Sequence, residues 1–283
     1  MAQEPINLFE YEEIAKSRLE QSQYDFIAGG ATDEITIRRT RAVFDSIMMR
    51  PRMMVDISKR DVSTTVLGQK IDLPVMIDPA GNHGVAHEDA ELATARAAGA
   101  AGTLMVVSSH AARTMEDVAG AATGPLWFQQ YLFRDRGLTL EMAARAEEAG
   151  YTALCLTLDA KVSPKRERNI RNNYVGPASP NYAQLDMGTH QWKFAADMPA
   201  GPLDIRDTAS TWPDLDWLAA NIRLPVVVKG IMTGDDGKLG ADHGAKGIIV
   251  SNHGGRYLDT TLATIEVLPK VAQAVAGNAE VDM

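Results

Sequence analysis

Gly247-Ile248-Ile249-Val250-Ser251-Asn252-His253-Gly254-Gly255-Arg256-Tyr257-Leu258-Asp259 is a short β-branched run that ends in a polar turn. The run reads as a buried strand, and the turn sets an imidazole and a guanidinium three residues apart with two glycines between them. A strand that delivers His253 and Arg256 to one mouth points to catalysis in preference to a structural role.

Working outward, the same grammar recurs: a short buried strand, a polar loop, an amphipathic helix. Strands are expected at 73–79, 102–109, 126–131, 153–159 and 225–230, with the opening stretch as the sixth. Helices are expected over 88–98, 114–121 and 138–149. Strands alternating with helices at this spacing call for a parallel sheet with right-handed crossovers. Polar residues gather where each strand ends: Asp78, Ser108 and Ser109, Gln129 and Tyr131, Thr157 and Asp159, Lys229, then Ser251 and His253. That distribution predicts a (β/α)8 TIM barrel, whose active site is built from the carboxyl ends of its strands. A doubly wound open sheet would gather its polar residues at one switch point behind a glycine fingerprint, and neither is present.

The whole chain reads as one domain: an N-terminal helical segment over 1–70, then the barrel over 71–283. Between the fourth and fifth strands, residues 168–217 carry little periodicity and several prolines, as a lid or specificity segment does. Residues 279–283 look like the start of a seventh strand, so two β/α units of an eight-stranded barrel are expected to be absent.

The net charge is −9 and 45% of the residues are apolar, an ordinary globular balance whose sign argues against nucleic acid or an anionic membrane as partner. The single cysteine, Cys155, lies in an apolar run and reads as core. No basic-then-apolar leader opens the chain and no apolar run approaches roughly 18 residues, so a soluble, cytoplasmic protein is expected. His83, His87, His110, His190 and His243 show no ligand set, and no metal is expected.

Residues 251–259 resemble the signature of the FMN-dependent α-hydroxy acid oxidases and dehydrogenases, the family of glycolate oxidase, flavin-type lactate dehydrogenase and mandelate dehydrogenase. Further matches run along the chain: Tyr24-Asp25-Phe26 with Gly29-Gly30, 73–79, Phe128-Gln129-Gln130-Tyr131, Leu156-Thr157-Leu158-Asp159, Arg166-Glu167-Arg168 and Val228-Lys229-Gly230. The resemblance implies FMN as cofactor and oxidation of an (S)-2-hydroxy acid, mandelate-like or lactate- or glycolate-like, to the 2-oxo acid. Oxygen or another acceptor reoxidises the flavin, and the assembly is a homo-oligomer, a tetramer by analogy. His253 is then the base and Asp159 the carboxylate that pairs with it. Arg166 and Arg256 bind the substrate carboxylate, a pairing suited to the guanidinium fork, and Tyr24 and Tyr131 add neutral hydrogen bonds. His110 lines the side-chain pocket. Pro79, Ala80, Gly81, Ser108, Gln129, Thr157 and Ser251 contact the flavin, and Lys229 sits at its pyrimidine edge, where positive charge favours the anionic reduced form.

Several residues depart from that resemblance. Ala160-Lys161 follows the aspartate in place of Thr-Pro, Pro164 followed by Lys165 stands where the family has a glycine before its arginine pair, and Tyr257 replaces a glutamine. Gly81 stands where glycolate oxidase has alanine, which leaves room beside the flavin and leans toward the mandelate branch. The family grips the FMN phosphate with loops after strands seven and eight, so these 283 residues are expected to bind FMN weakly. Two other readings are a barrel with only a binding or scaffolding role and a lyase that forms a Schiff base on Lys229.

Overall fold

The computed structural model describes residues 4–183 and 205–283. The N-terminal segment begins with α1 (Leu8–Arg18), α2 (Gln21–Ala28) and α3 (Ile35–Ala42). It does not stay helical to residue 70: β1 (Thr64–Val66) and β2 (Gln69–Ile71) form an antiparallel hairpin. Leu67 and Gly68 both take positive φ, 44° and 78°, the conformation of a tight two-residue hairpin turn. The β-branched Thr64-Thr65-Val66 supplies the strand that the helical expectation overlooked.

Then follow α4 (Ala90–Ala100), β3 (Met105–Ser108), α5 (Met115–Ala121), β4 (Leu126–Gln130), α6 (Arg136–Glu148) and β5 (Leu154–Thr157). The excursion after β5 carries α7 (Glu167–Arg171) and α8 (Pro180–Ala183), and its residues 184–204 lie outside the described residues. The chain continues through α9 (Trp212–Asn221), β6 (Val226–Ile231), α10 (Gly234–Asp242), β7 (Gly247–Val250), α11 (Thr264–Val275) and β8 (Glu280–Asp282).

β3 to β8 form one sheet in sequence order, parallel throughout, with Val106 opposite Trp127, Thr157 opposite Lys229 and Ile249 opposite Asp282. These are the second to seventh strands of the expected barrel. The first is reduced to a bridge, in which Ile77 accepts from Val106 N–H and donates to the Leu104 carbonyl. Pro74 lacks an N–H, and the Thr103 hydroxyl meets the carbonyls of Leu73 and Val75, so the ladder does not extend through 73–75. The helices begin where side chains cap them: Thr114 accepts from Asp117 N–H, Asp135 from Gly137 N–H and Thr233 from Asp236 N–H.

Both faces of the sheet are buried, so its strands are apolar runs without alternation. Outward-facing residues such as Val107, Phe128, Leu156, Val228 and Ile248 pack under the helices, where α11 contributes Val267, Val271 and Val275 at helical spacing. Inward-facing Leu104, Val106, Trp127, Cys155, Val227 and Ile249 form a second cluster, and Val66 and Ile71 of the hairpin plug one end of it. Cys155 is therefore core, and burial pushes its thiol well up.

Candidate active site

Because strand side chains alternate with period two, the residue two positions beyond each inward core residue faces the same interior. From Val106, Trp127, Cys155, Val227 and Ile249 this rule leads to Ser108, Gln129, Thr157, Lys229 and Ser251, all buried at the carboxyl edge of the sheet. They form a polar cradle across five neighbouring strands. Ser108 Oγ lies 3.2 Å from Gln129 Oε1, and Gln129 Nε2 donates to Thr157 Oγ1 at 2.9 Å. Lys229 Nζ donates to Ser251 Oγ at 2.9 Å and lies 3.4 Å from Asp78. An ammonium, an amide and three hydroxyls next to the apolar inner cluster can meet a heteroaromatic ring with donors and acceptors along one edge.

Beyond the cradle stand the next residues of β5 and β7. His253 Nδ1 is 2.8 Å from Asp159 Oδ1, and since a carboxylate only accepts, Nδ1 carries the proton and Nε2 keeps its lone pair. Burial pulls the His253 pKa below its ordinary value, against the opposing pull of Asp159. Its backbone is held in the left-handed region, φ 56°, followed by Gly254 and Gly255 at 62° and 68°. A non-glycine residue in that region is costly and marks functional turns.

Gly230 holds Asp159 in place from β6. It takes φ 106° at a register shift in the ladder, and a Cβ there would lie 2.6 Å from both Cβ and Cγ of Asp159. Gly230→Ala is expected to displace Asp159 and reduce turnover at least ~100-fold, the scale of a misplaced catalytic group. Steady-state kinetics on the folded variant checks it, and turnover within a few-fold of native would contradict this packing role.

Three guanidinium groups approach this turn. Arg166 donates from Nε to the Arg256 carbonyl at 3.3 Å and stands over the Tyr257 ring, with no hydrogen bond from its terminal nitrogens among the described residues. Arg256 is committed elsewhere: Nη1 donates to Ile27 and Gly29 carbonyls and Nη2 to that of Phe26, so its fork closes the carbonyl end of α2. Burial and the neighbouring Arg166 lower its pKa to about 10. Arg206, which sequence reasoning missed, donates from Nη1 to the Tyr257 hydroxyl at 3.2 Å and stacks over Tyr131 at 4.9 Å. By contrast Arg168 and Arg171 sit in ion pairs, with Glu34 and Asp25 and with Glu167 respectively.

The tyrosine expectations divide. Tyr131 is buried beside His110 at 5.5 Å between ring centres, and burial raises its pKa. Tyr24 donates its hydroxyl to Glu12 at 3.0 Å. The α2 residue packed against Arg256 is Phe26, whose ring lies 5.8 Å from the guanidinium, because residues two apart on a helix point to different faces. His110 lies in an aromatic box with Tyr131 and Tyr182, and burial pushes its pKa down to about 4. Gly81 does not open space: a Cβ there would meet the His110 Cβ at 2.9 Å, so this glycine lets His110 pack closely against the 79–81 loop.

The profile of the family described as FMN-dependent dehydrogenase matches residues 15–283. The chain belongs to that family. It is an oxidoreductase with FMN as cofactor. It is 45% identical to an L-lactate oxidase of Nostoc sp. over 290 residues, covering 98% of this chain and 78% of that one. It is 42% identical to glycolate oxidase 3 of Arabidopsis thaliana, covering 97% and 76%. A soluble mutant of the membrane-associated (S)-mandelate dehydrogenase of Pseudomonas putida superposes with a TM-score of 0.89 at 35% identity, over 98% of this chain and 78% of that one. The donor set of the cradle fits the polar edge of a flavin, with Lys229, Gln129 and Thr157 as the groups able to meet it.

Proposed function

We propose that this flavoenzyme oxidises (S)-2-hydroxy acids to 2-oxo acids, and the observation that carries this reading is the His253–Asp159 pair at 2.8 Å beside unpaired guanidinium donors. Arg166 and Tyr131 bind the substrate carboxylate, the first by charge-assisted hydrogen bonds and the second through its phenol. His253 Nε2 accepts the hydroxyl proton, and Asp159 stabilises the imidazolium that results. Ser108, Gln129, Thr157, Lys229, Ser251 and the backbone of 79–81 hold the cofactor. The α-hydrogen and its electron pair also leave the carbon, and FMN, when bound, would supply the acceptor for that redox equivalent.

Oxygen is the proposed acceptor, in line with relatives named as oxidases. Self-assembly is also proposed, supported by exposed apolar side chains such as Met49, Met54 and Ile57 on the irregular segment before the hairpin.

The test is anaerobic titration of the FMN-loaded protein with mono- and dicarboxylic (S)-2-hydroxy acids. The expected result is bleaching of the visible flavin absorbance with one equivalent of 2-oxo acid formed. Absorbance unchanged by every acid in the panel would refute the reading.

A further inference from the structure

Arg206 is only 4% exposed, yet its Nη2 has no hydrogen-bond partner and its guanidinium no carboxylate within ion-pair distance among the described residues. Its position is fixed by the backbone. Arg206 bridges antiparallel to Phe133, Arg134 N–H donates to the Ile205 carbonyl at 2.9 Å, and Asp207 N–H donates to the Leu132 carbonyl at 2.8 Å. A buried charged donor left unsatisfied is costly, and two tyrosine faces offset only part of that cost. No described residue supplies the anion that would complete this site, and a bound anionic ligand would supply it.

The surroundings say where that anion belongs. Arg166 reaches the Arg256 carbonyl and stands over Tyr257, whereas Arg206 lies over Tyr131 and on the hydroxyl side of Tyr257. With the hydroxyl of a substrate at His253 and its α-carboxylate at Arg166, the rest of the molecule extends along Tyr257, which both guanidinium groups flank at 5.6 and 5.7 Å, toward Arg206. A methyl or phenyl group there leaves Nη2 unpaired, while a second carboxylate pairs it. Tyr257, the departure from the family resemblance in the catalytic turn, is the residue that holds the other end of the Arg206 fork.

We propose that Arg206 is a specificity residue that binds a second carboxylate, making 2-hydroxy dicarboxylic acids the preferred substrate class, a proposal that rests on the hydroxy acid reading above. A site built to pair a charged group discriminates strongly against ligands that lack it.

The test is calorimetric binding of malonate and of propionate, neither of them oxidisable at a hydroxyl, to protein supplied with saturating FMN. Malonate is expected to bind at least ~10-fold more tightly than propionate to the native protein, the scale of one charge-assisted pair. The ratio collapses toward one in Arg206→Met and is retained in part in Arg206→Lys. Equal affinities in the native protein, or a malonate preference that persists in Arg206→Met, overturn the proposal. Malonate preference without flavin bleaching by any hydroxy acid would refute the oxidation reading and leave the dicarboxylate site standing. Bleaching without malonate preference does the reverse.

Discussion

Replacing His253 with alanine is expected to slow anaerobic bleaching of the flavin by a 2-hydroxy acid ~100- to 10,000-fold, the range for loss of a positioned general base, with FMN still bound. The argument is geometric. Asp159 fixes the Nδ1 proton, so Nε2 is the open acceptor, and no other described imidazole pairs with a carboxylate at the sheet's carboxyl edge. Stopped-flow absorbance reads the rate, and native-like bleaching in the variant would remove His253 from the role of base.

The pH dependence follows from the same contacts. The neutral imidazole is the working form, and burial lowers its pKa from the ordinary value of 6.5. Activity is therefore expected to hold below pH 6.5 and to fall only as pH drops through the depressed value. Asp159→Asn removes the partner that raises that pKa, so the acid limb should move to still lower pH even as the rate drops. A limb that moves upward contradicts the pairing.

The second large effect concerns stability. The Asp259 carboxylate accepts from Thr36 N–H at 2.7 Å, Ile35 N–H at 3.2 Å and the Thr32 hydroxyl at 3.0 Å, which makes it the anionic cap of α3 supplied by the catalytic turn. Asp259→Ala leaves these donors, in part buried, without an acceptor and is expected to cost about 2–4 kcal/mol, from the scale of caps and charge-assisted hydrogen bonds. These bonds hold the Asp259 carboxyl well below the usual carboxylate range, overcoming the opposite effect of burial. A depressed carboxyl contributes stability that is complete above its unfolded pKa, about 3.9, and is lost as pH falls through the folded value. Denaturant unfolding at neutral and strongly acidic pH checks this: the native and variant midpoints should differ at pH 7 and converge in acid. Identical midpoints at pH 7 would show that the cap carries no net stability.

Much of this was legible in the chain. Six strands stood out because each is an apolar run bounded by turn residues, and Ser108, Gln129, Thr157, Lys229 and Ser251 stood out because each is a polar residue where such a run ends. What escaped was set by three-dimensional neighbours. Tyr24 and Phe26 share one helix, and only the packing of α2 shows which of them faces Arg256. The Arg256 fork looked free because its acceptors are carbonyls some 230 residues away, beyond the reach of any local pattern. Arg206 lay in a segment without periodicity, and the one local hint of it was the unusual tyrosine at 257. The glycine at 81 suggested space, whereas its missing Cβ is already filled by His110.

The tie between the N-terminal helices and the catalytic turn also orders events in time. The hydrogen bonds that join Phe26 to Arg256 and Thr36 to Asp259 span 230 and 223 residues, so the early segment is synthesised long before its partners exist. Contacts of such separation form late, after the entropy of closing the loop has been met by the sheet already assembled between them. In refolding, recovery of flavin reduction is thus expected to lag behind the recovery of secondary structure, with docking of the first forty residues as the step that switches the enzyme on.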